Sequence, residues 1–551
     1  MAGKMIKTIL LLSLFFVLGI PCFSLPLSTN GRWIVDAKTG QRVKLTCANW
    51  PSHVESMLAE GLDKKPLDYI IHQLSRNHFN CVRFTYATHM YTRYANRTVS
   101  ETFDSLNLTD AKAGIAKYNP SFLSMTHVQA FDAVVDQFGA QGVLVVLDNQ
   151  VSRPTWCCGY DDGNGFFGDK DFDAEEWLQA LATVADRFKG KSQVIGISTR
   201  NELRGPSSNE DDWYKYMHEG GSTIHRANPD VLIFVSGIGY ASDLTYLQNK
   251  SLDTNFDNKL VYEAHWYPFS WGVGKTWDLE DVNGACYDNT QYFVNHTGFV
   301  INGEKPFPMF LGEFGIDQRG LSRGDEHFMA CFMAYAADTD VDWGFWAWQG
   351  SYYYRENQTG TEETFGVMNF NWNRVRNPEF QNRMQLITKK LQDPSSNSST
   401  SYIMFHALSG SCIHTDGNKE IYATSCKAPR RWSDPAGDVI PMKWLHDGDG
   451  APIRLKGTKL CLKALGEGLA PILSEDCSSP QSSWKFLSKT KLHLAATDEN
   501  GEYLCLQKES PYTSKILTNA CIFMNEEPEC GKDPQKDPVT QWFKLVKTNL
   551  L

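Results

Sequence analysis

Two glutamates carry most of the chemistry that this sequence offers. Val194-Ile195-Gly196-Ile197 runs into Thr199-Arg200-Asn201-Glu202, and Pro308-Met309-Phe310-Leu311 runs into Gly312-Glu313-Phe314-Gly315. In each, strand-forming apolar residues stop at a carboxylate. A carboxylate at the C-terminal end of a buried parallel strand sits on the lip of a barrel, where reacting groups collect. Two carboxyls opposed across such a lip are the minimal equipment for cleaving a glycosidic bond, one as acid/base and the other as nucleophile or base. Patterns for other chemistries do not occur: no His-Glu-x-x-His, paired Cys-x-x-Cys or EF-hand, and no Gly-x-Ser-x-Gly elbow or phosphate loop. No metal or cofactor is therefore expected. Ser236-Gly237-Ile238-Gly239 imitates a dinucleotide loop but lacks its third glycine and its acidic residue.

The elements that must position these glutamates alternate along the first 392 residues. Strand-like runs are Val43–Asn49, Cys81–Tyr86, Val143–Asp148, Val194–Thr199, Val231–Ser236, Leu260–His265, Met309–Glu313 and Trp343–Trp348. Amphipathic stretches lie between them, such as Leu67–Asn77, Thr126–Phe138, Ala174–Phe188, Asp212–Arg226 and Glu326–Ala337. Alternating βα units imply a parallel sheet, and eight of them suit an α/β fold of the (β/α)8 TIM-barrel type over residues 25–392. An open doubly wound sheet is the alternative.

A chain of 551 residues needs a second core. Residues 393–400, Asp-Pro-Ser-Ser-Asn-Ser-Ser-Thr, read as a linker, and residues 401–551 change pattern. Three units there lead with Cys412, Cys461 and Cys505, spaced 49 and 44 residues apart, and each closes on a tryptophan: Trp444, Trp484 and Trp542. A second cysteine follows in each, giving the candidate pairs Cys412–Cys426, Cys461–Cys477 and Cys505–Cys521. A threefold β-rich repeat of this period closes into a trefoil, an all-β domain stapled by its disulfides.

Residues 1–24 have the form of a secretory leader. Lys4 and Lys7 precede an apolar run, Thr8 to Ile20, that is too short for a bilayer span, which takes about 20 residues. A retained anchor is the rival reading. All 14 cysteines but Cys22 follow the leader, which fits an oxidising, extracellular compartment and several disulfides. Six glycosylation sequons, at Asn96, Asn107, Asn249, Asn295, Asn357 and Asn397, agree with export. No later stretch is apolar enough to enter a membrane, and a net charge of −11 argues against nucleic acid as a partner. The sequence contains 16 tryptophans, which could line a sugar cleft or fill a large core. Nothing bears on oligomeric state.

Several strand-end motifs make the first 392 residues resemble glycoside hydrolase family 5, the cellulase family of retaining (β/α)8 glycosidases. The resemblance makes Glu202 of Asn201-Glu202 the acid/base and Glu313 of Gly312-Glu313-Phe314-Gly315 the nucleophile. It assigns Arg83 in Cys81-Val82-Arg83-Phe84 and Tyr267 in His265-Trp266-Tyr267-Pro268 to holding Glu313 ionised. It also gives His265 a place in the site, Asn201 the sugar 2-hydroxyl, and Trp348 the role of sugar platform. The rival for Trp348 is a core position, because Trp343, Trp346 and Trp348 lie along one strand. Asn49-Trp50, ending the first strand, is a further sugar-contact candidate, with Trp50 the residue named for the contact. The C-terminal region resembles a ricin-B-type lectin trefoil over residues 401–548. It lacks that family's glutamine two residues before each tryptophan; Met442, Ser482 and Thr540 stand there.

A departure from the cellulase pattern is Gln150 in Leu147-Asp148-Asn149-Gln150, where many members carry a histidine. Glutamine can hydrogen-bond a sugar hydroxyl but carries no charge. The loop that follows, Arg153-Pro154-Thr155-Trp156-Cys157-Cys158-Gly159-Tyr160, reads as a cleft wall whose cysteines are in disulfides, with partners elsewhere as the first reading and a bridge between the two neighbours as the rival. The expectation is a secreted retaining hydrolase of a β-linked glucan or mannan, with association with the cell wall as an alternative setting. The rival is a carbohydrate-binding protein that holds a glycan without cutting it.

Overall fold

The computed structural model describes residues 26–272, 277–278, 281–415, 420–426, 443–522 and 537–550. The leader at residues 1–24 and Cys530 lie outside the described residues.

Eight parallel strands close into a barrel: β1 (Thr46–Trp50), β2 (Cys81–Ala87), β3 (Leu144–Val151), β4 (Val194–Ser198), β5 (Leu232–Ser236), β6 (Leu260–His265), β7 (Met309–Phe314) and β8 (Asp342–Phe345). Each pairs with its sequence neighbour, and β8 returns to β1. Side chains alternate across a strand, so every second residue points into the bore. The lower layer of the bore is apolar, with Cys47, Cys81, Val146, Leu232, Val261 and Phe310 in one cluster. A hairpin, Leu27–Asn30 with Trp33–Asp36, places Leu27 and Ile34 in the same cluster and plugs this end. Two residues further along the strands the inward positions turn polar: Asn49, Arg83, Asp148 and Glu263, all fully buried. The other strand face packs outward on helices α1 (Leu67–Arg76), α2 (His127–Ala140), α3 (Ala174–Arg187), α4 (Glu210–Ala227), α5 (Val282–His296) and α6 (Arg323–Thr339).

Local chemistry sets the helix ends. Thr126 and Gln129 form a reciprocal capping box at α2, and Ser322 and Asp325 form one at α6. In α4, Glu210, Asp211 and Asp212 fill the first turn and His225 and Arg226 the last, which complements the helix dipole. The alternation is irregular in two places. After β5 the chain makes only a one-turn helix, Ile238–Ala241, and two 3-10 turns, Thr245–Gln248 and Asp257–Lys259. After β2 it inserts three short helices, Thr88–Thr92, Val99–Ser105 and Thr109–Tyr118.

At the lower end, the seam between β1 and β8 is stitched by buried charge. Arg42 pairs with Asp340, Lys44 Nζ lies 3.1 Å from Asp340, and the Leu45 N–H donates to Asp342 at 2.8 Å. Asp340 also accepts from the backbone N–H groups of Leu391 and Gln392, which ties down the chain leaving the barrel. Cys47–Cys81 links β1 to β2 inside the bore, and Cys286–Cys331 links α5 to α6.

Among the described residues beyond 400 the strands pair antiparallel, and no α-helix occurs. Its first strand, Ser401–His406, pairs along its whole length with the last, Phe543–Thr548. Disulfides join Cys412–Cys426, Cys461–Cys477 and Cys505–Cys521, as the repeat spacing suggests. Trp444, Trp484 and Trp542 are all fully buried. The segment 393–400 forms no helix or strand, yet it is held: Asp393 and Asn549 exchange two hydrogen bonds of 2.9 Å. The two regions share apolar contacts, with Phe405, Leu408, Leu492, Trp542 and Val546 joining the cluster that lines the barrel helices. Trp542 Nε1 donates to Asn283 Oδ1 of α5 at 2.8 Å. Asp537 faces His327 and Arg323 of α6 at 3.0 and 3.2 Å.

Candidate active site

The C-terminal lip of the barrel gathers the charged residues around one guanidinium. Arg83 is fully buried and spends its donors on the ring of strands about it. Nη1 donates to Glu313 Oε1 at 2.9 Å and to Asn49 Oδ1 at 3.0 Å; Nη2 donates to Asp148 Oδ1 at 2.9 Å and to Asn201 Oδ1 at 2.7 Å. Nε lies 2.8 Å from Glu263 Oε1. Glu263 fits because its neighbour on β7 is Gly312, where a Cβ would stand 1.9 Å from the Glu263 carboxylate.

Glu313 is held from its other side by the Tyr267 hydroxyl, which donates to Oε2 at 2.9 Å. Gln150 Nε2 reaches Oε1 at 3.4 Å. Across the cleft, Glu202 Oε1 lies 2.8 Å from His265 Nδ1, and the same nitrogen is 3.8 Å from Glu313 Oε2. His265 Nε2 lies 3.5 Å from Glu263 Oε1. One oxygen each of Glu202 and Glu313 fall within 4.8 Å of one another.

Four carboxyls facing one guanidinium and one imidazole cannot all hold ordinary proton affinities. Burial pulls the His265 imidazole down, but the charges of Glu313 and Glu202 and the hydrogen bonds to Glu202 and Glu263 lift it to about 10. Asp148 is raised to about 7 by burial, against the pull of Arg83 and with repulsion from Glu263 and Glu313. Glu313 is also raised: burial outweighs His265 and Arg83, and the Glu202 charge adds to it. Burial would raise Glu263 too, but Arg83 and His265 hold it below the usual carboxylate range.

The cleft above these groups has a volume of about 710 Å³ and is walled by Trp156, Cys157, Cys158, Tyr240, Phe269, Trp346 and Phe365. Glu202, Glu313, His265, Tyr267 and Gln150 reach its surface. Four expectations need correction. Trp348 is fully buried and packs edge-on against Phe79. Strand β8 ends at Phe345, so the strand alternation stops there, and it is Trp346 that faces the cleft. Trp50 is likewise fully buried, its ring against Phe84, Phe138 and Trp372. It points outward from β1, while Asn49 takes the inward place. Asn201 has no exposed surface; its oxygen accepts from Arg83 and its Nδ2 lies 3.7 Å from Cys157 Sγ. Cys157 and Cys158 bond to each other, not to distant partners.

Sequence reasoning missed Glu263 as a member of the site, and it placed Trp50 and Trp348 ahead of their neighbours Asn49 and Trp346. The signal for Glu263 and Asn49 was strand parity: Glu263 shares the inward face with Val261, and Asn49 shares it with Cys47. Nothing in the sequence separated Trp346 from Trp348.

A closed (β/α)8 barrel with two opposed carboxylates at its C-terminal lip, beneath an aromatic cleft, defines a glycosidase. The comparisons agree. Residues 38–351 match the model of the cellulase family, glycosyl hydrolase family 5. A "Glycosyl hydrolase 5 family protein" of Chamaecyparis obtusa is 40% identical over 97% of this chain and 95% of its own length. The chain therefore belongs to glycosyl hydrolase family 5. An endoglucanase of Paenibacillus polymyxa is 22% identical over 58% of this chain and 78% of its own. Among solved structures, the endocellulase of Pyrococcus horikoshii aligns with 66% of this chain and 99% of its own at a TM-score of 0.53 and 19% identity, which bears on the fold alone.

Proposed function

We propose that the protein is a secreted retaining hydrolase that cuts within β-linked glucan chains by double displacement. The observation that carries the mechanism is the approach of Glu202 and Glu313 to within 4.8 Å. Retaining glycosidases hold their carboxyls about 5–5.5 Å apart, whereas inverting ones need about 6.5–9.5 Å to admit a water. Glu313, fixed by Arg83 and Tyr267, attacks the anomeric carbon and forms the glycosyl ester. Glu202, 2.8 Å from His265 Nδ1, protonates the departing oxygen. Esterification removes the Glu313 charge, the first of the groups that lift His265, so the Glu202–His265 pair holds a proton less tightly, stays deprotonated after giving one to the leaving group, and is free to act as base towards the attacking water.

The substrate class rests on relatives: proteins named endoglucanase, and a solved endocellulase studied with cellotetraose. The aromatic cleft suits the apolar faces of such a chain. Export is supported by six disulfides among the described residues and by the form of residues 1–24. The C-terminal region is assigned as a ricin-B-like trefoil on its three cysteine-stapled, tryptophan-closed units. Following the anomeric configuration of products from soluble β-glucan and β-mannan by NMR tests the reading. A β-anomer formed first is expected from glucan; an α-anomer first, or no turnover of either polymer, would overturn it.

A further inference from the structure

The wall of the cleft beside Glu202 is a disulfide. Cys157 and Cys158 both line the cleft, and their sulfurs and a Glu202 carboxylate oxygen lie within 4.8 Å of one another. Behind the sulfurs, Ala87 and Val151 complete an apolar cluster. Asn201 Nδ2 sits 3.7 Å from Cys157 Sγ and 3.9 Å from Cys158 Sγ. The loop also carries Trp156 into the cleft, 6.2 Å from the Trp346 ring.

This bridge contributes little to the fold's stability. A cross-link stabilises mainly by shortening the loops open to the unfolded chain. The other disulfides span 14 to 45 residues, whereas this one joins sequence neighbours and closes almost no loop. Bonding does change the surface. Two thiols, which could donate and ionise, become two polarisable sulfurs that do neither, and sulfur packs well on flat apolar faces.

We propose that the Cys157–Cys158 disulfide is a substrate-contacting surface: its sulfurs receive the apolar C–H face of the sugar ring in the subsite adjoining Glu202. It also keeps the Asn201 amide turned so that its oxygen stays on Arg83. The inference rests on the glycan-cleaving reading above and adds to it a surface made by bond formation rather than by side-chain type.

The test uses the full-length Glu313→Gln protein with cellotetraose and mannotetraose as probes. Binding is measured first by calorimetry. Brief dithiothreitol reduction, iodoacetamide trapping and peptide mass spectrometry then follow each disulfide with and without the oligosaccharide that binds. At ten times Kd, labelling of Cys157 and Cys158 should slow about tenfold by mass action, while Cys412–Cys426 is unaffected. In the otherwise unaltered enzyme, the Cys157→Ser/Cys158→Ser variant should raise KM about tenfold and lower kcat less, with an unchanged melting temperature. Tight oligosaccharide binding without protection, together with an unchanged KM in the variant, overturns this inference and leaves the glycosidase reading standing. Binding of neither oligosaccharide counts against both.

Discussion

Two clusters of buried charge occupy opposite ends of the same barrel, and they differ in balance. At the lower end, Arg42 and Lys44 meet Asp340 and Asp342, two cations against two anions. At the upper end, Arg83 and His265 meet Asp148, Glu202, Glu263 and Glu313. The lower cluster is neutral and borders the apolar layer of the bore. The upper one is overdrawn in negative charge, so protons must be shared, and it opens on a cleft. Buried ion pairs by themselves are weak signs of function; displaced proton affinities beside a cavity are stronger ones.

The comparison can be broken at either end. Glu313→Gln should cost on the order of 10⁴-fold or more in kcat on soluble β-glucan, without lowering the melting temperature, because it relieves repulsion in an overcharged site. An active Glu313→Gln enzyme would remove the basis for treating the upper cluster as reactive. Asp340→Asn should do the opposite: about 3–5 kcal/mol lost in urea unfolding, with KM and kcat per folded molecule unchanged, since Arg42 and Lys44 are left buried and underpaired. The tryptophans after β8 sharpen the contrast. Trp348→Ala should destabilise by about 3–5 kcal/mol through the cavity it leaves, with little change in KM. Trp346→Ala should weaken substrate binding by about 1 kcal/mol, read as a rise in KM that Trp348→Ala does not share. The smallest effect is in pH dependence. His265 is raised from 6.5 to about 10 in the folded protein, so its contribution to stability is complete below pH 6.5 and is lost as pH rises through about 10. Denaturation midpoints across that window should fall more steeply for the unaltered protein than for His265→Gln.

Most of this architecture could be read from residue order. All eight strand runs are present, because each is a short apolar stretch ended by polar residues, and the upper cluster follows from what stands at those ends. Two kinds of information were out of reach. Helix α5 carries few periodic apolar residues and was not anticipated; its buried face includes Asn283 and Asn289. The orientations of Trp346 and Trp348 depend on where β8 stops, a tertiary matter that local spacing does not encode. The bond between Cys157 and Cys158 is only the rival reading of the sequence for a related reason. Spacing says which cysteines are near in sequence, and a loop's path decides which of them meet.

The contact between the two regions has a practical consequence. Trp542, its hydrogen bond to Asn283, and the Asp537 contacts with His327 and Arg323 all lie on the outer surface of α5 and α6. Anyone trimming the gene to its catalytic half would uncover that surface and strand polar groups that now have partners. The shortened product should be prone to clumping, so expression of the whole polypeptide is the safer route to a well-behaved enzyme.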